Sequence, residues 1–447
     1  MPTTTRYRRR WAALAVLLVA EAMNLLDATI VQVAGPAVHA DLPGPAADIP
    51  WFSAAYTLPF AVFLITGGRL GDMFGRAKVF RIGVAGFVLA SLVCAAAQDA
   101  GLLIGARAVQ GAAAALIIPQ TIGLIRALFD GDELAKALGS IGPVMGLSAV
   151  TGPLLGGLLT QAVSWRAVFL VNVPLGLAVL FAARLLREDR AATRPRLDLS
   201  GTLLVVAGAG LLVYPLIDPA GTNWVLLAAG AALLVVFGCQ QRRAAAPLVE
   251  PSLFAHRGFP AALAGSLLFF AVMTGLMQVV PMQLQLGLGA DVRTAGLTLV
   301  PLSAGLAVSS YFAGARLVPK FGSRVLFAGL ALLVAGIAAL YAGGIHAYAW
   351  PTLGALALCG LGMGTFTVPF FTAALHRVRP HETGSAAGLL NAVQQLGGTL
   401  GVALLGGLCL GTGSATAALG LGAGLAVAAA VAVLPLAFDG LSSRRGR

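Results

Sequence analysis

The chain has 447 residues, 58% of them hydrophobic even without its 57 glycines, and only 10% charged. A water-soluble domain carries roughly 25% Asp, Glu, Lys and Arg on its surface, so lipid must be the solvent for most of this chain. The net charge of +12 does not point to a nucleic-acid partner, because the basic residues fall in short clusters between long apolar runs, with no basic face interleaved with aromatics. Cys94, Cys239, Cys359 and Cys409 all lie in apolar runs without CxxC spacing, which excludes a disulfide framework and a zinc ribbon.

A membrane helix needs about 20 predominantly apolar residues. Fourteen such runs follow one another, at 11–38, 50–69, 80–98, 101–125, 138–161, 167–186, 199–217, 222–240, 259–286, 294–316, 325–345, 350–374, 385–410 and 414–436. The first follows Arg6 and Arg8 to Arg10 but is too long for a signal peptide and contains Glu21 and Asp27, so it reads as an uncleaved span. No stretch between runs is long enough for a soluble domain. When alternate loops are assigned to opposite sides, 26 of the 29 Lys and Arg residues fall on one side, Arg166 and Arg293 on the other, and Arg107 within a span. A missed span would scramble this parity, so the expectation is a multi-pass protein of the cytoplasmic (inner) membrane with both termini cytoplasmic.

Gly68-Arg69-Leu70-Gly71-Asp72-Met73-Phe74-Gly75, after the second run, shares Arg-Leu and Phe-Gly at one spacing with Ala315-Arg316-Leu317-Val318-Pro319-Lys320-Phe321-Gly322, after the tenth. Spans 1–6 and 9–14 then form two equivalent halves, with spans 7 and 8 inserted between them. The predicted units are a six-helix bundle over 1–190, two extra spans with linkers over 191–257, and a second six-helix bundle over 258–447.

Three ionisable residues, Glu21, Asp27 and Arg107, lie deep in these runs, where each costs several kcal/mol unless paired or solvated, and such residues mark ion paths. At 100° per residue, Glu21, Asn24, Asp27, Ala28, Val31, Gln32 and Gly35 share one arc of the first helix, predicted to line a cavity. A carboxylate there can gain and lose a proton, because desolvation disfavours its charged form. Glu21 would carry the proton or neutralise a cationic substrate, unless it lies near water or a polar neighbour. Asp27 would couple the proton or hold span 1 by a structural hydrogen bond. Arg107 would take part in the ion path or form a structural ion pair. In the loop after span 2, Gly68, Gly71 and Gly75 are expected to allow a tight turn, with Asp72 capping a helix or pairing with an arginine such as Arg76; the plain alternative is a basic anchor. Gly152, Pro153, Gly156 and Gly157 would let span 5 bend and approach its neighbours closely. Met273, Met277, Gln278, Phe366 and Asn391 are candidates for an adaptable substrate surface in the second half.

Several stretches carry a family resemblance. Span 1 ends Leu26-Asp27-Ala28-Thr29-Ile30-Val31-Gln32-Val33-Ala34-Gly35-Pro36; span 4 holds Arg107-Ala108-Val109-Gln110-Gly111; span 5 holds Gly152-Pro153-Leu154-Leu155-Gly156-Gly157; and span 6 opens Trp165-Arg166-Ala167-Val168-Phe169-Leu170-Val171-Asn172-Val173-Pro174-Leu175-Gly176. With the Gly68–Lys78 loop, these resemble the major facilitator superfamily, and more closely its 14-helix drug:proton antiporters of bacteria. Gln32 stands where that family usually has Asn, Gly35 where it has Leu, and Met73 and Ala77 where basic residues are common. The resemblance implies an all-α integral membrane protein of the major facilitator fold, two six-helix bundles plus two inserted central helices. It also implies a monomer driven by the proton gradient without a cofactor, with Asp27 and Arg107 in coupling, the Gly68 loop in gating and the Gly152 stretch in favouring export.

No phosphate loop, HExxH or Ser-His-Asp arrangement stands out, so no enzyme activity, metal or ATP hydrolysis is expected. The expected function is proton-coupled export of a small lipophilic drug or antibiotic, conferring resistance. Export of an endogenous metabolite or self-made antibiotic, or less favoured proton symport, are the alternatives, and a receptor or scaffold without solute flux is the reading of a different class.

Overall fold

The computed structural model describes residues 9–189, 197–217, 223–244, 246–255, 257–376, 378–379 and 382–436. Among these, fourteen helices are long and apolar enough to cross a membrane. They are spans 1 (Arg10–Asp41), 2 (Asp48–Phe74), 3 (Arg76–Ala96), 4 (Ala100–Leu128), 5 (Lys136–Ala162), 6 (Arg166–Leu185), 7 (Leu199–Ile217), 8 (Trp224–Gln241), 9 (Gly258–Gly287), 10 (Val292–Phe321), 11 (Arg324–Gly343), 12 (Trp350–Leu375), 13 (Gly384–Thr412) and 14 (Ala415–Leu436). No strand occurs among the described residues. The protein is an integral, multi-pass, all-helical membrane protein, as expected for backbone that must satisfy its own hydrogen bonds in lipid.

Each helix falls on a run seen in the sequence, with ends shifted because hydrophobicity stops at the first polar residue while a helix stops at its cap. Asp99 accepts from the Leu102 N–H at 2.8 Å to start span 4, and Asp291 accepts from the Thr294 N–H at 2.7 Å to start span 10. Apolarity also conceals interruptions: π turns occur at Gln283–Gly287, Ala313–Leu317 and Val402–Gly406 in spans 9, 10 and 13.

Packing follows the repeat. In the first half span 2 lies on span 4, 3 on 4, 1 on 5, 3 on 6 and 1 on 6; in the second, 10 lies on 12, 11 on 12, 9 on 13, 11 on 14 and 9 on 14. Each pair corresponds after a shift of eight spans. The close approaches correspond as well: a methyl on Gly111 would run into the Tyr56 backbone between spans 4 and 2, and one on Gly360 into the Leu302 backbone between spans 12 and 10. The two related sequence stretches end their helices with one device, a glycine at positive φ, Gly75 at +105° and Gly322 at +61°.

Between the halves, span 2 packs on 13, 5 on 10 and 1 on 9. The contacts close the arginine-poor end, where Gln285 Nε2 donates to the Val33 carbonyl at 2.9 Å. Nearer the middle, Thr399 Oγ1 donates to Thr57 Oγ1 at 2.7 Å. Towards the arginine-rich end spans 2 and 13 part around a cavity of about 470 Å³. Span 8 packs chiefly on span 7, and span 7 packs on spans 2 and 13.

Candidate functional site

Asp27, on span 1, has no exposed surface and bonds to three side chains from two other spans. Arg107 of span 4, also fully buried, forms an ion pair with Asp27 Oδ2. Gln110, one turn further along span 4, donates to Asp27 Oδ1 at 2.9 Å and to Ser91 Oγ of span 3 at 2.8 Å. Asn172 of span 6 donates to the same Asp27 oxygen at 2.7 Å and to Ser91 at 3.4 Å. Arg107 donates further to Gln110 Oε1 at 2.7 Å and to the Phe52 carbonyl of span 2 at 2.9 Å. Its guanidinium lies 4.4 Å from the centre of the Tyr56 ring, whose hydroxyl donates to Asn24 Oδ1 at 2.7 Å.

Five of the six first-half spans thus contribute to one hydrogen-bonded cluster around this carboxylate. A buried ion pair survives only when further hydrogen bonds offset its desolvation, and Gln110, Asn172 and Phe52 supply them. The cluster is not saturated: Arg107 Nη2, Asn172 Oδ1 and Asn24 Nδ2 have no hydrogen-bond partner among the described residues. Glu21 lies nearly two turns before Asp27 on span 1, 9% exposed, and no described residue hydrogen-bonds or ion-pairs with it. One site therefore holds a tightly paired carboxylate and, close by, an unpaired one.

The arc predicted to line a cavity is corrected in part. Asp27 faces the interior of its own half, and a methyl on Gly35 would lie 3.3 Å from Ile49. The helical wheel found the polar side of span 1 but not its neighbour, because polar partners on spans 3, 4 and 6 attract that side as strongly as water does. Gln32 is buried with its Oε1 unpartnered among the described residues.

Among the second-half candidates, Asn391 lines the open cavity with Gly68, Asp72 and Arg76. Phe366 does not: it is fully buried, with ring centres 4.2 Å from Phe269 and 5.0 Å from Phe370. Met277 and the partly buried Met273 pack into the same core. In this conformation these three pack on neighbouring helices, and an apolar helix face packs equally well on a neighbouring helix and around a ligand. Gln278 is buried, and its side chain and that of Pro50 would each lie 3.5 Å from a methyl on Gly406. That places it where the halves meet.

The gating stretch is also redrawn. Gly68 and Gly71 sit inside helical span 2, not in a turn; a methyl on Gly68 would lie 3.5 Å from Pro119, and one on Gly71 would strike Gln120. Gly75 alone of the three makes the turn. Asp72 caps no helix N-terminus; it accepts from Arg76 at 2.8 and 3.1 Å. Arg76 reaches on to Asp189 at 2.6 Å, while the Ala77 N–H donates to Glu188 at 3.1 Å. Glu188 and Asp189, past the end of span 6, lay outside any stretch that suggested a role.

The glycines of span 5 face two ways. A methyl on Gly152 would strike Thr29, and one on Gly156 would lie 2.9 Å from the Ile30 carbonyl, both on span 1 of the same half. A methyl on Gly157 would lie 2.9 Å from the Val292 carbonyl and 3.2 Å from Arg293 Cα, across the boundary on the other half. Gly296 closes on the Pro153 carbonyl from the opposite side.

A sequence profile described as Major Facilitator Superfamily matches residues 17–402. The chain is 43% identical over 425 residues to a probable actinorhodin transporter of Streptomyces coelicolor, covering 91% of this chain and 73% of that one. It is 40% identical over 427 residues to a puromycin resistance protein of Streptomyces alboniger, covering 91% and 83%. It is 35% identical over 424 residues to a cephamycin export protein of Amycolatopsis lactamdurans, covering 90% and 85%.

Proposed function

The chain belongs to the Major Facilitator Superfamily, and from that premise we propose that it is a proton-coupled antiporter exporting lipophilic drugs or antibiotics by alternating access. Residues 1–190 and 258–447 are the two moving bundles, with 191–257 between them. The arginine-rich end, with both termini, faces the cytoplasm of the inner membrane, so the described conformation is open inward.

The observation that carries the reading is the unsaturated buried cluster around Asp27 and Arg107 beside the unpaired Glu21. Protonating Asp27 would weaken its pull on Arg107 and free the guanidinium for other acceptors, which couples a proton to the packing of spans 1, 3, 4 and 6. Glu21 takes the second role, holding a proton or a cationic substrate, one helical turn before Asn24, which accepts from the Tyr56 hydroxyl beside Arg107. Gln32, Gln278 and Asn391 supply polar contacts along the path, and the Asp72–Arg76–Asp189 network holds the inner gate. The protein acts as a monomer and needs no cofactor.

Relatives named for actinorhodin, puromycin and cephamycin favour a narrower version, in which the cargo is a self-made antibiotic. Everted vesicles energised by respiration test both. Uptake of several unrelated lipophilic compounds, abolished by a protonophore, supports the broad exporter; uptake of a single compound class supports the narrow one. Uptake that survives collapse of the proton gradient would overturn proton coupling.

A further inference from the structure

Spans 7 and 8 have no counterpart in the repeat, and their packing is specific. Span 8 is peripheral, with Trp224, Val225, Val235 and Val236 exposed. Span 7 runs along the seam between spans 2 and 13. At the arginine-poor end Val213 and Ile217 pack with Ala54 of span 2 and with Val402 and Ala403 of span 13. At the other end Thr202 and Thr66 of span 2 share a hydrogen bond of 3.2 Å.

The linker after span 8 continues the cover where the helices part. Arg69 of span 2 donates to the Ala246 carbonyl at 2.9 Å and also to that of Pro247. Gln241 Oε1 accepts from the Val249 N–H at 3.0 Å, while Gln240 and Gln241 donate to Asp198 at 3.0 and 2.6 Å, fastening the linker to the foot of span 7. Ala246, Leu248 and Glu250 then line the open cavity, whose other walls are spans 2, 4 and 13. The bonds from the pair and its linker to Thr66 and Arg69 are directional and run to the first half. Against the second half, span 7 offers Val213 and Ile217, and the linker offers Leu248 and Val249, apolar contacts that can slide.

We propose that the inserted pair is a fixed shutter: it travels with the first half, seals the seam between spans 2 and 13 against lipid, and so admits substrate through the arginine-rich mouth instead of sideways from the bilayer. A solute taking that route passes Arg76, Arg126, Asp72 and Glu250. The cargo is therefore amphipathic, bearing polar groups on an apolar frame. The proposal rests on the alternating-access reading above.

Two cysteine pairs separate the proposal from that reading. Thr66→Cys/Thr202→Cys joins the shutter to the first half, and Thr57→Cys/Thr399→Cys joins the two halves. Each is crosslinked by oxidation or, where that is incomplete, by a short thiol-reactive bridge, with the linkage verified by mass spectrometry. The crosslinked first pair is expected to transport within about twofold of its reduced form. The crosslinked second pair is expected to fall to background and to recover on reduction. Loss of transport in the first would overturn the fixed shutter, whereas persistent transport in the second would overturn alternating access. Sealing is tested with Ser385→Cys on the cavity wall, expected to react with a water-soluble maleimide from the arginine-rich side and not with a bilayer-confined one; preferential reaction with the bilayer-confined reagent would overturn it.

Discussion

Replacing Gly157 by alanine adds one methyl group where the two halves touch. Built on the backbone, that carbon lies 2.9 Å from the Val292 carbonyl oxygen and 3.2 Å from Arg293 Cα, well inside the roughly 3.5 Å at which non-bonded heavy atoms rest. The obstructing atoms are backbone, so no side chain can swing away, and overpacking of this kind costs about 1–3 kcal/mol. Alanine's gain in helix propensity is present in every conformation and cancels. The cost falls only on the state closed at the arginine-poor end. At about 2 kcal/mol, the ratio of the two access states moves by about 30-fold, since about 1.4 kcal/mol is a decade. Spin labels at Arg126→Cys and Gly384→Cys, both on the cavity mouth, report the change by electron–electron double resonance as a shift to shorter distances. Gly156→Ala is the control, because its methyl would lie 2.9 Å from the Ile30 carbonyl within the same half. It should lower thermal stability and leave the distances alone. Unchanged distances in Gly157→Ala, or an equal shift in Gly156→Ala, would refute the assignment of Gly157 to the inter-half contact.

Asp27→Ala leaves Arg107 as a buried unpaired charge and should destabilise the protein by about 3–5 kcal/mol, while Asp27→Ala/Arg107→Ala should be more stable than the single variant. Thermal unfolding in detergent checks this, and additive losses would contradict the pairing. Asp198 lies just outside span 7; desolvation pushes its carboxyl upward, but bonds from the Gly201 N–H, Gln241, Ser200 and Gln240 together outweigh it and hold the carboxyl below its ordinary value. Its contribution to stability is therefore present above the ordinary carboxylate value of about 3.9 and is lost as pH falls through the lower folded value. Asp198→Asn should lower the melting temperature at neutral pH and narrow its gap to wild type in acid, and a gap that widens in acid would contradict the sign. Arg76→Ala frees both Asp72 and Asp189, bonds that are formed with the arginine-rich end open, and should lower the rate at which Ser385→Cys is labelled from that side; an unchanged rate would remove Arg76 from the gate.

The fold was legible because lipid imposes long apolar runs and the basic residues mark one side of them. Fourteen helices among the described residues and the pairing of two halves followed from those features and from four residues that recur at one spacing after span 10. The site was legible only in part. Asp27 and Arg107 declared themselves by the cost of charge in an apolar run, but Ser91, Gln110 and Asn172 are uncharged and unremarkable along the chain. Gln110 and Asn172 did lie in stretches carrying the family resemblance, and Gln110 stands one helical turn from Arg107, a spacing that could have singled it out. Phe366 and Met277 mark a different limit, since an apolar face does not reveal whether its partner is a ligand or a helix. Gly68 and Gly71 read as turn residues because glycine serves both turns and close packing, and the following Phe-Gly fixes only where the helix stops.

The most direct test of coupling through the Asp27–Arg107 cluster is proton movement in proteoliposomes containing the purified protein and an internal pH-sensitive dye. A transported antibiotic added on one side should drive protons the opposite way in wild type. In Asp27→Asn, verified as folded by its melting curve, the same addition should move none. Proton counterflow of wild-type size in Asp27→Asn would contradict the account and remove the cluster from the coupling path.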